Sequence, residues 1–135
     1  MTTMPCGGFF SVDSLRGVWV LVVDADPRGR RSLVEILTYC GALVTAIASV
    51  DEALDVMRQV KPDVLIVVST GDGDDDVVHR VRSLKPEDGG VVPAIAVARE
   101  IDDDAARARG FQAHLRTPLD PWALCRLVSS LMTVR

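Results

Sequence analysis

Short apolar runs alternate with amphipathic stretches along most of the chain, and this alternation limits the fold to a few classes. Residues 18–23 form a continuous apolar run, and residues 30–39 follow with Leu33, Ile36 and Leu37 at helical spacing. The predicted strands are 18–23, 42–46, 64–68, 93–97 and 113–116, and the predicted helices are 30–39, 50–60, 75–84, 102–109 and 121–132. Five such strand–helix units predict an α/β fold, with a mostly parallel sheet and helices on both of its faces.

Local signals support the boundaries of these elements. Gly41 follows the first helix in the position of a C-terminal cap. Ser49 and Glu52 form a capping-box pattern at the start of the second helix, which stops before Pro62. The run Val64–Val68 is continuously apolar and rich in β-branched residues, so we expect it to be a central strand buried on both faces.

The chain has the size of one domain. It contains 135 residues, of which 48% are hydrophobic and 25% are charged, and these proportions are typical of a soluble globular protein. Residues 1–16 show no sustained periodicity and predict a flexible leader or linker. We therefore assign the folded domain to residues 17–135.

Charge and hydropathy argue against several partners. The net charge of −4 offers no positive excess for the phosphates of a nucleic acid. The apolar runs are far shorter than the roughly 20 residues that span a bilayer, so we expect no membrane association. The first residues lack a basic region followed by an apolar stretch, which favours a cytoplasmic location.

The cysteines give no sign of a disulfide framework or of a zinc site. Cys6, Cys40 and Cys125 are odd in number and form no CxxC pair. We therefore expect buried, reduced thiols.

Carboxylates follow the first predicted strand, at the edge where sheets of this kind carry their sites. The sequence there reads Asp24-Ala25-Asp26, and clustered carboxylates at a strand end are suitable ligands for magnesium. Asp26 directly before Pro27 is also typical of a helix N-terminus, with the aspartate as cap and the proline at the first helical position. Both interpretations, a weak metal site at Asp24 and Asp26 and a helix cap, are compatible with the sequence.

The other strand ends carry little reactive chemistry. The third strand ends in Val68, and the first carboxylate after it is Asp72. Ala98 follows the fourth strand and Thr117 the fifth, with a lysine at neither position. Catalysis needs a nucleophile, an acid or base and a charge stabiliser within reach of one another, so we do not expect an enzyme.

Four segments of the chain resemble the receiver domains of response regulators in two-component signalling. They read VLVVDADP, KPDVLIVV, VPAIAVA and RARGFQAHLRTPLDPWAL. The last segment is the most specific, because its GF-x-A-x-L-x-x-P-x-D-P pattern is close to the sequence pattern that is usual in the family. The resemblance covers residues 17–133 and implies a single flavodoxin-like (βα)5 sheet with the strand order 2-1-3-4-5. It also implies a cis peptide bond between Thr117 and Pro118.

The family's chemistry is largely absent at the matching positions. In active receivers, two adjacent acids bind magnesium, and an aspartate at the end of the third strand accepts a phosphoryl group from a histidine kinase. The matching residues here are Asp24 and Ala25 for the acids and Val68 for the acceptor. The family's switch hydroxyl and lysine match Ala98 and Thr117. The resemblance therefore implies a degenerate pseudo-receiver.

Three functions are compatible with this sequence. The first is a phosphorylation-independent signalling module that works by protein–protein interaction and needs no cofactor, with weak or no magnesium binding. The second is an atypical phosphoacceptor that uses Ser69 or Asp72, with Asp24 and Asp26 holding magnesium. The third is a small-ligand sensor that uses the emptied cleft at the strand ends.

The partner of such a module is expected to be a sensor kinase, a regulator or a second copy of the chain. Helical spacing places Leu124 and Val128 toward the core, and it turns Trp122 and Cys125 outward. We expect binding on the face of the fourth helix, fifth strand and fifth helix. The interface residues predicted there are Trp122, His114, Arg116 and Arg126. Alternatively, the Trp122 ring folds over the helix start and shields apolar surface.

Overall fold

Strands and helices alternate along the chain in the predicted order. The computed structural model describes residues 15–68, 76–85, 90–99, 103–108 and 110–133. The elements are β1 (Trp19–Val23), α1 (Pro27–Tyr39), β2 (Leu43–Ile47), α2 (Val50–Gln59), β3 (Val64–Val68), α3 (Asp76–Arg82), β4 (Ala94–Ala98), α4 (Asp103–Ala108), β5 (Ala113–Arg116) and α5 (Pro121–Thr133). Their ends lie within three residues of the predicted ones.

The strands form one parallel sheet in the order β2-β1-β3-β4-β5, which confirms the predicted fold class. β3 pairs with β1 on one side and with β4 on the other. Its residues Val64, Leu65, Ile66 and Val67 are at most 1% exposed, as expected for a strand covered on both faces.

Alternate residues of each strand feed two separate apolar cores. Leu21 and Val23 of β1 pack with residues of α2, α3 and α4 on one face of the sheet. Val20 and Val22 pack with residues of α1 and α5 on the other face. This division follows from the two-residue period of a strand, and it places α1 and α5 side by side.

Two predicted caps are present. Ser49 accepts a hydrogen bond from the Glu52 backbone N–H at 3.3 Å, while the Glu52 carboxylate accepts one from the Ala48 N–H at 3.0 Å. Gly41 has a φ of 97°, the left-handed conformation that closes a helix. These caps fix where α1 ends and where α2 begins.

The first described residues pack onto the domain. Leu15, which the sequence assigns to the leader, is fully buried, and its N–H donates to the Cys40 carbonyl at 2.9 Å. Residues 1–14 of the predicted leader lie outside the described residues. Among the helices of the described ranges, none has the length and apolar composition needed to cross a bilayer.

Candidate functional site

The positions that match the receiver chemistry meet at the carboxyl edge of the sheet. Val68, at the end of β3, pairs with Val97 of β4. Ala98, the residue after Val97, is 8% exposed. Its carbonyl accepts a hydrogen bond from the Thr117 N–H at 3.1 Å. Val68 is partly buried and packs against the core on the α1 and α5 side of the sheet. The positions that the resemblance matches to the acceptor, the switch hydroxyl and the lysine therefore carry two hydrocarbon side chains and one hydroxyl.

Asp24 is a buried carboxylate beneath the first turn of α1. It is 2% exposed, and one carboxylate oxygen accepts the Asp26 N–H at 2.9 Å. The other oxygen lies against Gly29, where an added Cβ would overlap it. The Arg30 guanidinium donates to the Asp24 carbonyl at 2.8 Å. Asp24 therefore helps to hold the turn between β1 and α1.

Asp26 caps α1, which confirms the cap interpretation of the sequence. Its carboxylate accepts the Arg28 N–H at 3.2 Å, and Pro27 occupies the first helical position. Magnesium prefers a near-octahedral set of oxygen ligands. Within the described ranges, no three His, Cys, Asp or Glu side chains lie close enough to hold a metal ion. Asp24 and Asp26 both accept hydrogen bonds from backbone N–H groups, and a role of these two carboxylates in holding magnesium stays a prediction.

The two candidate residues of the alternative phosphoacceptor follow β3 in the sequence. Ser69 and Asp72 belong to the segment 69–75, which is outside the described residues.

The peptide bond between Thr117 and Pro118 is cis, as the resemblance implies.

Trp122 lies in a groove between α1 and α5. Its ring centroid is 6.4 Å from that of Tyr39, with an angle of 70° between the ring planes. Ile36 and Cys125 also line this groove, which has a volume of about 270 Å³. Trp122 is 41% exposed, and its role in an interface of α4, β5 and α5 stays a prediction. The ring covers apolar surface at the helix start, as the alternative interpretation expects.

Cys125 is 1% exposed, which agrees with the predicted buried thiol and shows that the outward orientation predicted from helical spacing is wrong. Leu124 and Val128 point into the core as expected, but α1 covers the adjacent side of α5 as well. His114 is half-buried in β5, whereas Arg116 and Arg126 are exposed. A role of these three residues in binding stays a prediction.

Replacing Trp122 by alanine should lower the free energy of unfolding by about 1–2 kcal/mol, because the ring is half-exposed and makes an edge-to-face contact with Tyr39. Urea denaturation of W122A, Y39A and the double variant gives the coupling energy. We expect a favourable coupling of about 1 kcal/mol. Strictly additive losses would mean that the aromatic contact contributes nothing.

Two features of the structure were not predicted from the sequence. Arg82, at the end of α3, donates to carbonyl groups of the segments that precede β4 and β5. Burial lowers the pKa of its guanidinium. The second feature is the contact between the Cys40 and Cys125 thiols. The acceptors of Arg82 lie 8 to 30 residues after it, and the two cysteines are 85 residues apart. No local sequence pattern marks either contact.

Sequence comparison identifies a relative of this chain. An uncharacterised 14.6 kDa protein encoded in the sodA1 3′ region of Leptolyngbya boryana is 40% identical over 115 residues, which cover 81% of this chain and 86% of that protein. The chain belongs to the same family as that protein. No protein-family model matches the chain.

The fold is that of response-regulator receiver domains. A two-component response regulator from Clostridium difficile superposes with a TM-score of 0.74 at 19% identity, over 86% of this chain and 96% of that one. The receiver domain of sensor histidine kinase PA1611 from Pseudomonas aeruginosa PAO1, which has magnesium coordinated in its active-site cleft, superposes with a TM-score of 0.76 at 20% identity. That match covers 87% of this chain and 98% of the other.

Proposed function

We propose that this chain is a phosphorylation-independent, receiver-like signalling module of a two-component or phosphorelay pathway, and that it acts by binding another protein. The observation that carries the proposal is the valine at the tip of β3. Val68 ends β3, and the resemblance to receiver domains matches it to their phosphoacceptor and matches Ala98 and Thr117 to their switch hydroxyl and lysine.

The chemistry of phosphoryl transfer supports this proposal. Transfer requires an acceptor oxygen, and its rate depends mainly on positioning and on the stabilisation of developing charge. A valine side chain has no nucleophilic atom. The remaining acid of the family's pair, Asp24, is buried and hydrogen-bonded to the backbone of Asp26. At the matched positions Val68 and Ala98, an incoming phosphoryl group would therefore meet apolar side chains in place of the acceptor and the switch hydroxyl.

A module that cannot be phosphorylated cannot use phosphorylation to change the conformation of its binding surface. We infer that it presents one fixed surface to its partner, which is a sensor kinase, a regulator or a second copy of this chain. Proteins of both signalling classes carry domains of this fold, as the regulator from Clostridium difficile and the kinase from Pseudomonas aeruginosa illustrate. In this proposal the chain performs no catalysis and depends on no bound metal.

Acetyl phosphate with millimolar magnesium should leave the protein unmodified, because Val68 cannot accept the phosphoryl group. Intact-mass spectrometry checks for the gain of about 80 Da that one phosphoryl group adds. Beryllofluoride with magnesium should likewise leave the tryptophan fluorescence and the sedimentation coefficient unchanged. An active receiver domain treated in parallel shows that the reagents work.

Magnesium-dependent labelling would overturn the proposal in favour of the atypical phosphoacceptor. Peptide mapping and the variants S69A and D72N would then locate the acceptor. A change in oligomeric state with beryllofluoride would overturn it equally, since it would show that the domain still responds to a phosphoryl mimic.

A further inference from the structure

Cys40 and Cys125 bring their thiols together from distant parts of the chain. Their Sγ atoms lie 2.9 Å apart, although 85 residues separate them in sequence. Cys40 ends α1, and Cys125 lies in the second turn of α5. Both side chains are 1% exposed, and both cysteines are reduced. Two buried thiols in direct contact can react with each other, whereas an isolated core cysteine has no such partner.

We propose that Cys40 and Cys125 form a modification site at which hydrogen peroxide reversibly creates an intramolecular disulfide. A disulfide bond is about 2.05 Å long, so the two sulfur atoms need to approach by less than about 1 Å. Both residues belong to adjacent helices on the same face of the sheet, within one core. The closure therefore requires small side-chain and helix adjustments and no change of fold.

The burial of the two sulfur atoms limits which oxidants can reach them. Both cysteines border the groove between α1 and α5 that also contains Tyr39 and Trp122. A neutral oxidant of nearly the size of water can enter such a groove, whereas a peptide disulfide cannot reach sulfur atoms that are this deeply buried.

Burial and the hydrogen bond with Cys40 raise the pKa of the Cys125 thiol. Thiolates are the reactive form, so this environment slows oxidation and keeps the pair reduced until the peroxide level rises.

The reaction consumes one molecule of peroxide for each disulfide. The sulfur of one thiolate attacks a peroxide oxygen, the O–O bond breaks, and a sulfenic acid and one water molecule form after proton transfer. The second thiol then attacks the sulfenic sulfur, the S–O bond breaks, and the oxygen leaves as a second water molecule. The two sulfur atoms lose two electrons in total, and the peroxide gains them. A dithiol reductant reverses the reaction by thiol–disulfide exchange.

The cross-link would tie the end of α1 to α5 and close a long loop of the chain. Closing a loop of this length constrains the unfolded state, which predicts a rise in Tm on the order of 10 °C. The bond would also join two residues that line the groove together with Tyr39 and Trp122. The inference rests on the two thiols and does not depend on the proposed signalling role.

The decisive experiment uses the variant C6S, which retains Cys40 and Cys125 as its cysteines. The folded, reduced protein is incubated with hydrogen peroxide, and the remaining thiols are alkylated under denaturing conditions. We expect both thiols to disappear with a mass loss of about 2 Da and with no added oxygen. Trypsin separates the cysteines, because Cys40 lies in peptide 32–58 and Cys125 in peptide 117–126. The two peptides should be recovered joined, and dithiothreitol should release them and reverse the rise in Tm.

Matched controls make the result specific. C40S and C125S, each in the C6S background, should show no mass loss of this kind, and the surviving thiol should instead take up oxygen. Three results would overturn the inference: both thiols of folded C6S persist at peroxide levels that oxidise free cysteine, they gain oxygen without joining, or the disulfide forms only in urea. In wild-type protein, a disulfide that includes Cys6 in place of either partner would overturn it as well.

Discussion

Replacing Arg82 by alanine should lower the free energy of unfolding by about 3 kcal/mol. The reason is that its guanidinium donates hydrogen bonds to the segments before β4 and before β5. Its Nη1 donates to the Val92 carbonyl at 2.8 Å, and its Nη2 donates to the Gly110 carbonyl at 3.0 Å and to the Gln112 amide oxygen at 2.9 Å. Removal of the side chain leaves these acceptors without a charged donor. Urea denaturation monitored by circular dichroism measures the loss.

Two control variants identify the cause of this loss. R82K keeps the charge but loses the planar fork of donors, so we expect it to recover only about 1 kcal/mol. Arg80 lies on the same helix and makes a solvent-exposed ion pair with Asp51 at 3.6 Å. Its replacement by alanine should therefore change stability by less than about 0.5 kcal/mol. If R82A is as stable as R80A, the hydrogen bonds of Arg82 do not stabilise the fold.

The role of Arg82 could not be read from the sequence, because most of its acceptors are backbone carbonyl groups. Gly110 and Gln112 follow it by 28 and 30 residues. Such carbonyls exist at every position of a chain, and only the fold determines which of them lie near a given arginine. The thiol pair was missed for the same reason, since the separation of Cys40 and Cys125 matches no local motif.

The order of elements was predictable because it depends on local periodicity. The start of α1 was placed three residues too late, at residue 30 in place of Pro27. The first turn of this helix contains no apolar residue that would continue the helical pattern. The cap by Asp26, which the sequence analysis recognised as one of two interpretations, is the signal that correctly marks the start.

The orientation of α5 shows where periodicity fails. The spacing of Leu124 and Val128 correctly identifies the side that faces the sheet. It does not reveal that α1 packs beside α5 and covers a second side, where Cys125 becomes buried and Trp122 contacts Tyr39. Packing between helices that are distant in sequence depends on the sheet order, and the spacing of apolar residues within one helix carries no information about that order.

The substitution V68D should fail to restore phosphorylation and should cost about 2 kcal/mol of stability at pH 7. The new carboxylate would stand at the acceptor position, but Ala98 and Thr117 would still replace the switch hydroxyl and the lysine. Val68 packs against the core that contains α1 and α5, so a charged group there loses hydration. Acetyl phosphate labelling and urea denaturation measure the two effects.

The comparison of V68D with V68N separates the cost of the charge from the cost of the changed shape. Loss of hydration raises the pKa of a carboxyl group in the folded protein above its unfolded value of about 3.9. The folded variant then binds more protons than the unfolded chain, so its stability falls as the pH rises from about 4 toward 7. V68N lacks this group, and the stability difference between the two variants should grow over that interval. Equal stability at pH 7 would show that the β3 tip accommodates a carboxylate, and labelling of V68D with magnesium would show that one substitution rebuilds the acceptor site.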